Sequence, residues 1–200
     1  MASVLILNGS PRAPRSNSRR YAELFAHSCP VPAQTCNITR TNHAELCEKS
    51  AGFSDILLVF PLYADGIPVT LLNFLKALED RLPSPRPRIS VLINCGFYEP
   101  EQNDVAVEMV EQFCRRTGCP FGAVLEIGSG EAILDTPFVF LVRRRIRALA
   151  DAVAAGQHRV LRVTMPIPKR MFVAASTLYW KNYGKRNGIT KAQMESMKIE

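Results

Sequence analysis

Apolar positions in this chain fall into short continuous runs, and stretches of helical spacing lie between them. Residues 4–7 are continuously apolar and stop at Asn8-Gly9-Ser10-Pro11. Such a run, bounded by turn residues, predicts a strand buried on both faces, as in a parallel sheet. Ser16-Asn17-Ser18 then offers helix-capping residues, and Tyr21, Leu24 and Phe25 follow at helical spacing with Pro30 beyond. The unit recurs. Residues 33–39 form a weaker strand and 42–49 a short polar helix. Residues 55–60 are a strong strand stopped by Pro61, and 69–82 carry Leu71, Leu72, Leu75, Leu78 and Leu82 on a helix. Residues 83–88 hold three prolines in six positions and form a loop. Residues 89–94 are a third strong strand. Residues 101–117 form a helix with acids in its first turns and Arg115-Arg116 at its end, which suits the helix dipole. Residues 123–127 are a strand, closed by Gly128-Ser129-Gly130. Residues 135–155 are a long helix with Gly156 just past its end.

Five strands alternating with five helices predict an α/β domain over residues 1–156. Its sheet is parallel and doubly wound, with helices on both faces. Ligands of such sheets bind outside the carboxyl ends of the strands, near a topological switch point. Residues 157–200 make a basic C-terminal extension that opens with a short strand-like piece at Val160, Leu161 and Val163 and is broken by Pro166 and Pro168. In it, Phe172, Ala175, Tyr179 and Tyr183 keep helical spacing, as do Val173 and Trp180, the only tryptophan. We expect a helix over residues 169–183 that buries Phe172, Tyr179 and Trp180, with a homodimer as the first-ranked arrangement. Lys169, Arg170, Lys181, Lys185 and Arg186 would then lie on the rim. A peripheral membrane contact ranks below a dimer. Nucleic acid ranks last, because no binding module is recognisable.

Composition narrows the picture. The 200 residues are 47% hydrophobic and 22% charged, which is globular. The longest apolar runs are five residues, far short of the roughly 20 that a membrane helix needs. The first run ends at Leu7, too early for the core of a signal peptide, so a cytoplasmic protein is expected. The net charge of +7 is unevenly placed. Residues 1–140 hold 12 basic and 15 acidic side chains, and residues 141–200 hold 13 and 3. Six cysteines (29, 36, 47, 95, 114, 119) show no CxxC spacing, so neither a metal nor a cluster is expected. The histidines at 27, 43 and 158 are scattered, and no hydrolase elbow is present. Glu99 and Glu101 read as helix-start acids, and the arginines at 143–147 as a solvated face.

The chemistry concentrates at three loops. The first, residues 8–18, carries a glycine, hydroxyls, amides and two arginines where a helix opens. A phosphate needs such donors. Alone, the loop fits a phosphate cradle and an ordinary capped connection equally. It is neither a Walker A loop nor GxGxxG. The loops at 61–68 and 94–99 each bring an aromatic residue and polar or flexible backbone to the same sheet edge. Together the three suit a flat conjugated ring on a phosphate tail.

With Gly9-Ser10-Pro11-Arg12 and Ser16-Asn17-Ser18, then Ser54-Asp55 leading to Pro61-Leu62-Tyr63, then Asn94-Cys95-Gly96, the chain resembles the flavodoxin-like NAD(P)H-dependent FMN reductase and iron–sulfur flavoprotein group. The match covers about residues 3–130. The resemblance implies a flavodoxin-like fold and FMN, with the phosphate on Ser10, Arg12, Ser16, Asn17 and Ser18. It implies ring contacts from Pro61, Leu62, Tyr63, Ala64 and Asp65, and from Asn94, Gly96, Phe97 and Tyr98. It also implies NAD(P)H as hydride donor and a quinone, flavin or similar small molecule as acceptor. Two alternatives remain: an electron-transfer module, and an interaction protein that kept the fold without the flavin. The chain departs from the group in having only Cys47 where iron–sulfur members carry a cysteine cluster. It departs again in placing Asp65, a carboxylate, where a reduced flavin would carry negative charge.

Overall fold

A computed structural model of the protein describes residues 2–196. The chain divides into two compact units, Met1–Met165 and Pro166–Glu200. The first unit runs β1 (Val4–Asn8), α1 (Asn17–Ser28), β2 (Ala33–Asn37), α2 (His43–Ser50), β3 (Asp55–Pro61), α3 (Val69–Glu79), β4 (Arg88–Asn94), α4 (Asp104–Thr117), β5 (Phe121–Ile127), α5 (Val139–Ala154) and β6 (Val160–Val163). All strands are parallel, in the order β2-β1-β3-β4-β5-β6. The order reverses between β1 and β3, which is the switch point of the sheet.

The expectation of five strands is corrected to six. Val160 to Val163 pair with Val124 to Ile127, so the sheet extends past the expected boundary at residue 156. The reason lies in periodicity. The four inner strands are buried along nearly their whole length and are mostly apolar, because helices cover both their faces. β6 alternates instead, with Leu161 and Val163 buried while Val160 and Arg162 face outward. The sequence marks Val160, Leu161 and Val163 as strand-like, but a short alternating piece does not announce that it joins the sheet as its edge.

The helices α2, α3 and α4 cover one face of the sheet. Leu46, Leu71, Phe74, Leu78, Val110 and Phe113 pack there against Leu5, Leu7, Leu58, Phe60 and Val91. α1 and α5 contact each other, and their buried faces carry Tyr21, Phe25, Val142, Ile146 and Leu149. Full burial of each such side chain is worth roughly 1.5–3 kcal/mol, and this fixes the strand ends that the loops depart from. Two expected helices start later than their spacing suggests. Residues 100–103 form a 3₁₀ turn before α4, and residues 133–135 form another before α5. Pro100 stands at the first, and Pro137 separates the second from its helix. The six cysteines are free thiols, four of them buried.

The second unit holds α6 (Lys169–Arg186), where the spacing predicts a helix, and α7 (Lys191–Ser196). Gly184 lets the two close up: a Cβ there would meet Met194 Sδ at 2.7 Å. Along α6, Tyr179 stacks on Tyr183 with ring centroids 6.2 Å apart, and Trp180 meets both rings edge-on. All three rings are nonetheless exposed, and Phe172 is half-buried. The expected burial of Tyr179 and Trp180 therefore needs a further surface. Residues 197–200 of the expected extension lie outside the described residues. Among the described residues, no helix is long and apolar enough to cross a membrane.

Candidate functional site

The carboxyl ends of β1, β3 and β4 open on one cleft of about 590 Å³. Its floor begins at Asn8, which is buried and whose Oδ1 accepts the N–H of Ser10 at 3.1 Å. The chain then turns twice, with Ala13 N–H donating to Ser10 O and Arg15 N–H donating to Arg12 O. It enters α1 at Ser16, whose Oγ accepts the N–H of Arg19 at 3.2 Å. The N–H groups of Asn17 and Ser18 have no acceptor within the helix, and both residues line the cleft. This helix start is therefore an anion-binding end.

Four arginines line the same cleft, and they fall into two pairs. Arg19 is held by Glu23 at 2.8 Å. Arg20 binds Asp135 at 2.6 Å and donates to Asn17 Oδ1 at 3.0 Å. That hydrogen bond raises the pKa of Arg20 and lowers that of Asp135. Arg12 and Arg15 are exposed and have no ion-pair partner among the described residues. The cleft thus carries two guanidiniums without an ion-pair partner, with one further carboxylate, Glu131, at its rim.

The other end of the cleft is apolar. Pro61, Leu62 and Tyr63 form its lip, and Tyr63 is 58% exposed. Asn94 locks the floor beneath. Its Nδ2 donates to Ser18 Oγ and to Phe60 O, both at 3.1 Å, and its backbone carbonyl accepts the N–H of Leu62 at 2.8 Å. One side chain therefore ties α1, β3 and β4 together. Gly130 packs on it so closely that a Cβ would lie 2.8 Å from Asn94 Cβ. The buried Tyr21 hydroxyl donates to Gly130 O at 2.7 Å, and burial raises its pKa. These contacts bring Glu131 to the rim, where its carbonyl accepts from Asn17 Nδ2 at 3.2 Å.

Nine of the expected residues therefore line one cleft: Ser10, Arg12, Ser16, Asn17, Ser18, Pro61, Leu62, Tyr63 and Asn94. The other five do not. Ala64 and Asp65 form a tight turn with positive φ of 47° and 56°, closed by reciprocal hydrogen bonds between Tyr63 and Gly66. The Asp65 side chain is exposed there. Gly96, Phe97 and Tyr98 lie in a loop that bonds to the segments after β5 and β6. The sequence reading passed over Arg15, Arg20 and Glu131 as site residues. The signal for Glu131 was Gly128-Ser129-Gly130, read only as a turn, whose second glycine marks close approach to β4.

The donor set tests the fit to FMN. A phosphate monoester needs cationic and N–H donors, and the loop after β1 leaves two guanidiniums and a helix start available for it. A flat ring needs an apolar wall, and Pro61, Leu62 and Tyr63 supply one. The residues fit the group.

No family model matches this sequence, and no curated protein matches it. Solved structures do. The chain is similar to an NAD(P)H:quinone oxidoreductase from Methanothermobacter marburgensis at 14% identity and TM-score 0.62, over 74% of this chain and 94% of that one. It is similar to an FMN-dependent NADH-azoreductase from Bacillus anthracis, solved with FMN, at 14% identity and TM-score 0.59, over 77% and 100%. A Streptococcus pneumoniae flavodoxin matches at 17% identity and TM-score 0.56, over 77% and 99%. These likenesses establish the fold, which is flavodoxin-like. These flavodoxin, azoreductase and quinone oxidoreductase neighbours match the flavodoxin-like NAD(P)H-dependent FMN reductase group that the loop motifs resemble.

Proposed function

We propose that the protein is an FMN-dependent oxidoreductase that takes hydride from NAD(P)H and reduces a small acceptor such as a quinone or a flavin. One observation carries the reading. Two guanidiniums without an ion-pair partner and the N–H groups of Asn17 and Ser18 at the start of α1 face an apolar lip across one cleft, at the switch point of the sheet. Arg12, Arg15, Ser16 and the α1 N–H groups would hold the phosphate, and Pro61 to Tyr63 would flank the ring. When bound, FMN supplies the acceptance of hydride and its onward transfer as electrons. The chain itself orients the group and walls it from water on one side. No acid or base of the protein is assigned. We also propose that the second unit self-associates through the aromatic face of α6, making the protein a homodimer.

The test compares ligands and then turnover. Purified protein titrated with FMN and with riboflavin should prefer FMN by at least tenfold, because only FMN carries the phosphate that Arg12 and Arg15 would meet. NADH or NADPH oxidation with a quinone should then depend on added FMN. Protein that binds neither flavin excludes this function.

A further inference from the structure

Helix α6 carries Lys169, Arg170, Lys181, Lys185 and Arg186 and no acid. Residues 152–194 as a whole hold no acidic side chain. The next acid in the chain, Glu195, is engaged by Lys191 at 3.3 Å. Arg170, Lys181 and Lys185 are exposed and have no ion-pair partner among the described residues. At 3.6 residues per turn these three fall within about 60° of one another around the helix. Leu178 and Met171 border the same stripe and are 61% and 59% exposed. Phe172 and Ser176, which are half-buried, lie on the other side with the rings of Tyr179, Trp180 and Tyr183. The helix therefore has two unlike faces. The self-association proposed above would use the aromatic one. It would leave outward a basic face edged by two apolar side chains.

The spacing of the charges narrows the partner. From Arg170 to Lys185 the stripe runs about 22 Å along the axis, at about 1.5 Å per residue. Cations spread over that length cannot converge on one small anion, and a single row of them suits a flat surface. Met171 and Leu178 stand between the cations along the axis, and a phosphodiester or carboxylate chain offers those two nothing. A bilayer with anionic headgroups satisfies both parts. The cations reach the phosphates, and the apolar tips reach the acyl boundary. No aromatic ring stands on this face to stack on nucleic-acid bases.

We infer that the Arg170, Lys181 and Lys185 face of α6 docks the protein on an anionic lipid bilayer. The contact is peripheral and electrostatic, so it is sensitive to salt. It is independent of the flavin reading, because no residue of α6 lines the cleft.

The test sediments the full-length protein with vesicles of phosphatidylcholine alone, and with vesicles that also hold about one-third phosphatidylserine. The anionic vesicles should bind it at least tenfold more tightly at low salt, and the preference should shrink as salt rises. Arg170→Gln with Lys181→Gln and Lys185→Gln should remove the preference. The same loss of charge at Lys169→Gln, Arg186→Gln and Lys191→Gln should leave most of it. Leu178→Ser should weaken vesicle binding and leave heparin binding unchanged. Trp180 emission should not move on binding, since the aromatic face turns away from the lipid. Circular dichroism checks that each variant keeps its helices. Equal binding to both kinds of vesicle overturns the inference. Equal losses from the two triple variants assign the binding to net charge and overturn the face. A blue shift of Trp180 puts the aromatic side in the lipid and also overturns it. Vesicle binding that Leu178→Ser leaves unchanged makes the partner a soluble polyanion and overturns the lipid assignment.

Discussion

The loops after β1 and β4 leave the same edge of the sheet with similar polar content, yet they present themselves oppositely. In the loop after β4, Cys95 N–H donates to Ile127 O, Cys95 O accepts from Gly130 N–H, Phe97 O accepts from Ser129 N–H, and Tyr98 O accepts from the Thr164 hydroxyl. The Cys95 thiol is buried among these groups, and burial pushes its pKa up to about 11. In the loop after β1, the backbone closes two small turns while the guanidiniums of Arg12 and Arg15 are left outside them. One loop uses its polar groups to hold the neighbouring connections in place. The other keeps its strongest donors available. A ligand binds where donors are unsatisfied in the folded protein, whichever loop looks more polar in the sequence.

The sharpest way to break that comparison is Arg12→Ala with Arg15→Ala, set against Phe97→Ala. Each charge-assisted bond contributes roughly 1.5–3 kcal/mol, less where solvent screens it. The arginine pair should therefore weaken FMN binding by about a hundredfold, read as flavin fluorescence during titration. Phe97→Ala should change it less than about threefold. Comparable losses from both would mean that the loop after β4 also faces the flavin.

Beneath the β4 loop, the satisfied groups include an ionisable cluster. Arg162 on β6 meets Asp104 at 2.6 Å, Glu126 at 3.2 Å and Glu101 at 3.7 Å. Glu126 is only 2% exposed, and its Oε2 has no hydrogen-bond partner other than the neighbouring Asp104 carboxyl. Burial, helped by that carboxyl and opposed by Arg162, pushes Glu126 up to about 7 from 4.5. The folded protein then holds a proton that the unfolded chain releases above pH 4.5. The stability this confers is complete below pH 4.5 and is lost as pH rises through 7. The loss should be about 3 kcal/mol. Glu126→Gln should flatten this slope, as measured by urea unfolding at acid and at mildly alkaline pH. An unchanged slope would assign the pH dependence to other groups.

Much of this is legible in the sequence, for reasons that particular residues make plain. Doubly covered strands such as Ile56 to Phe60 announce themselves because every side chain is apolar. The loop after β1 was legible because Ser16 must cap a helix and the donors cluster within eleven residues. At Val160 a strand-like piece was legible but its pairing with β5 was not, since only Leu161 and Val163 turn inward. The fate of Phe97 and Tyr98 was not legible either. Their carbonyls are taken by Ser129 and Thr164, partners more than 30 residues away. The division of the arginines was equally hidden, since Arg20 is neutralised by Asp135 across the fold.

Ser16 separates structural from ligand-binding use within the first loop. Its Oγ already caps α1, so Ser16→Ala should lower stability by about 1 kcal/mol through loss of that cap. Ser16→Asn keeps a capping acceptor and should restore stability. If FMN affinity recovers along with it, the Ser16 side chain acts through the helix start. Persistent weakening in Ser16→Asn would give the hydroxyl its own bond to the phosphate.

The smallest effect on the cleft should come from the largest deletion. Every residue lining the cleft lies between Ser10 and Glu131, well inside the first unit, and the sheet closes at Val163. Removing residues 166–200 should therefore leave FMN affinity within about twofold, while light scattering shows the mass fall from dimer to monomer. The two readouts answer separate questions. The α6 rings Tyr179, Trp180 and Tyr183 are 47–60% exposed, and aromatic residues of this kind are enriched where subunits meet. Lys169, Arg170, Lys181, Lys185 and Arg186 oppose self-contact through like charge, so association should strengthen as salt screens them. A full-length protein that stays monomeric at both low and high salt excludes the interface. A truncated protein that loses FMN would show that the second unit reaches the cleft, and the contrast between the two loops would then need a third participant.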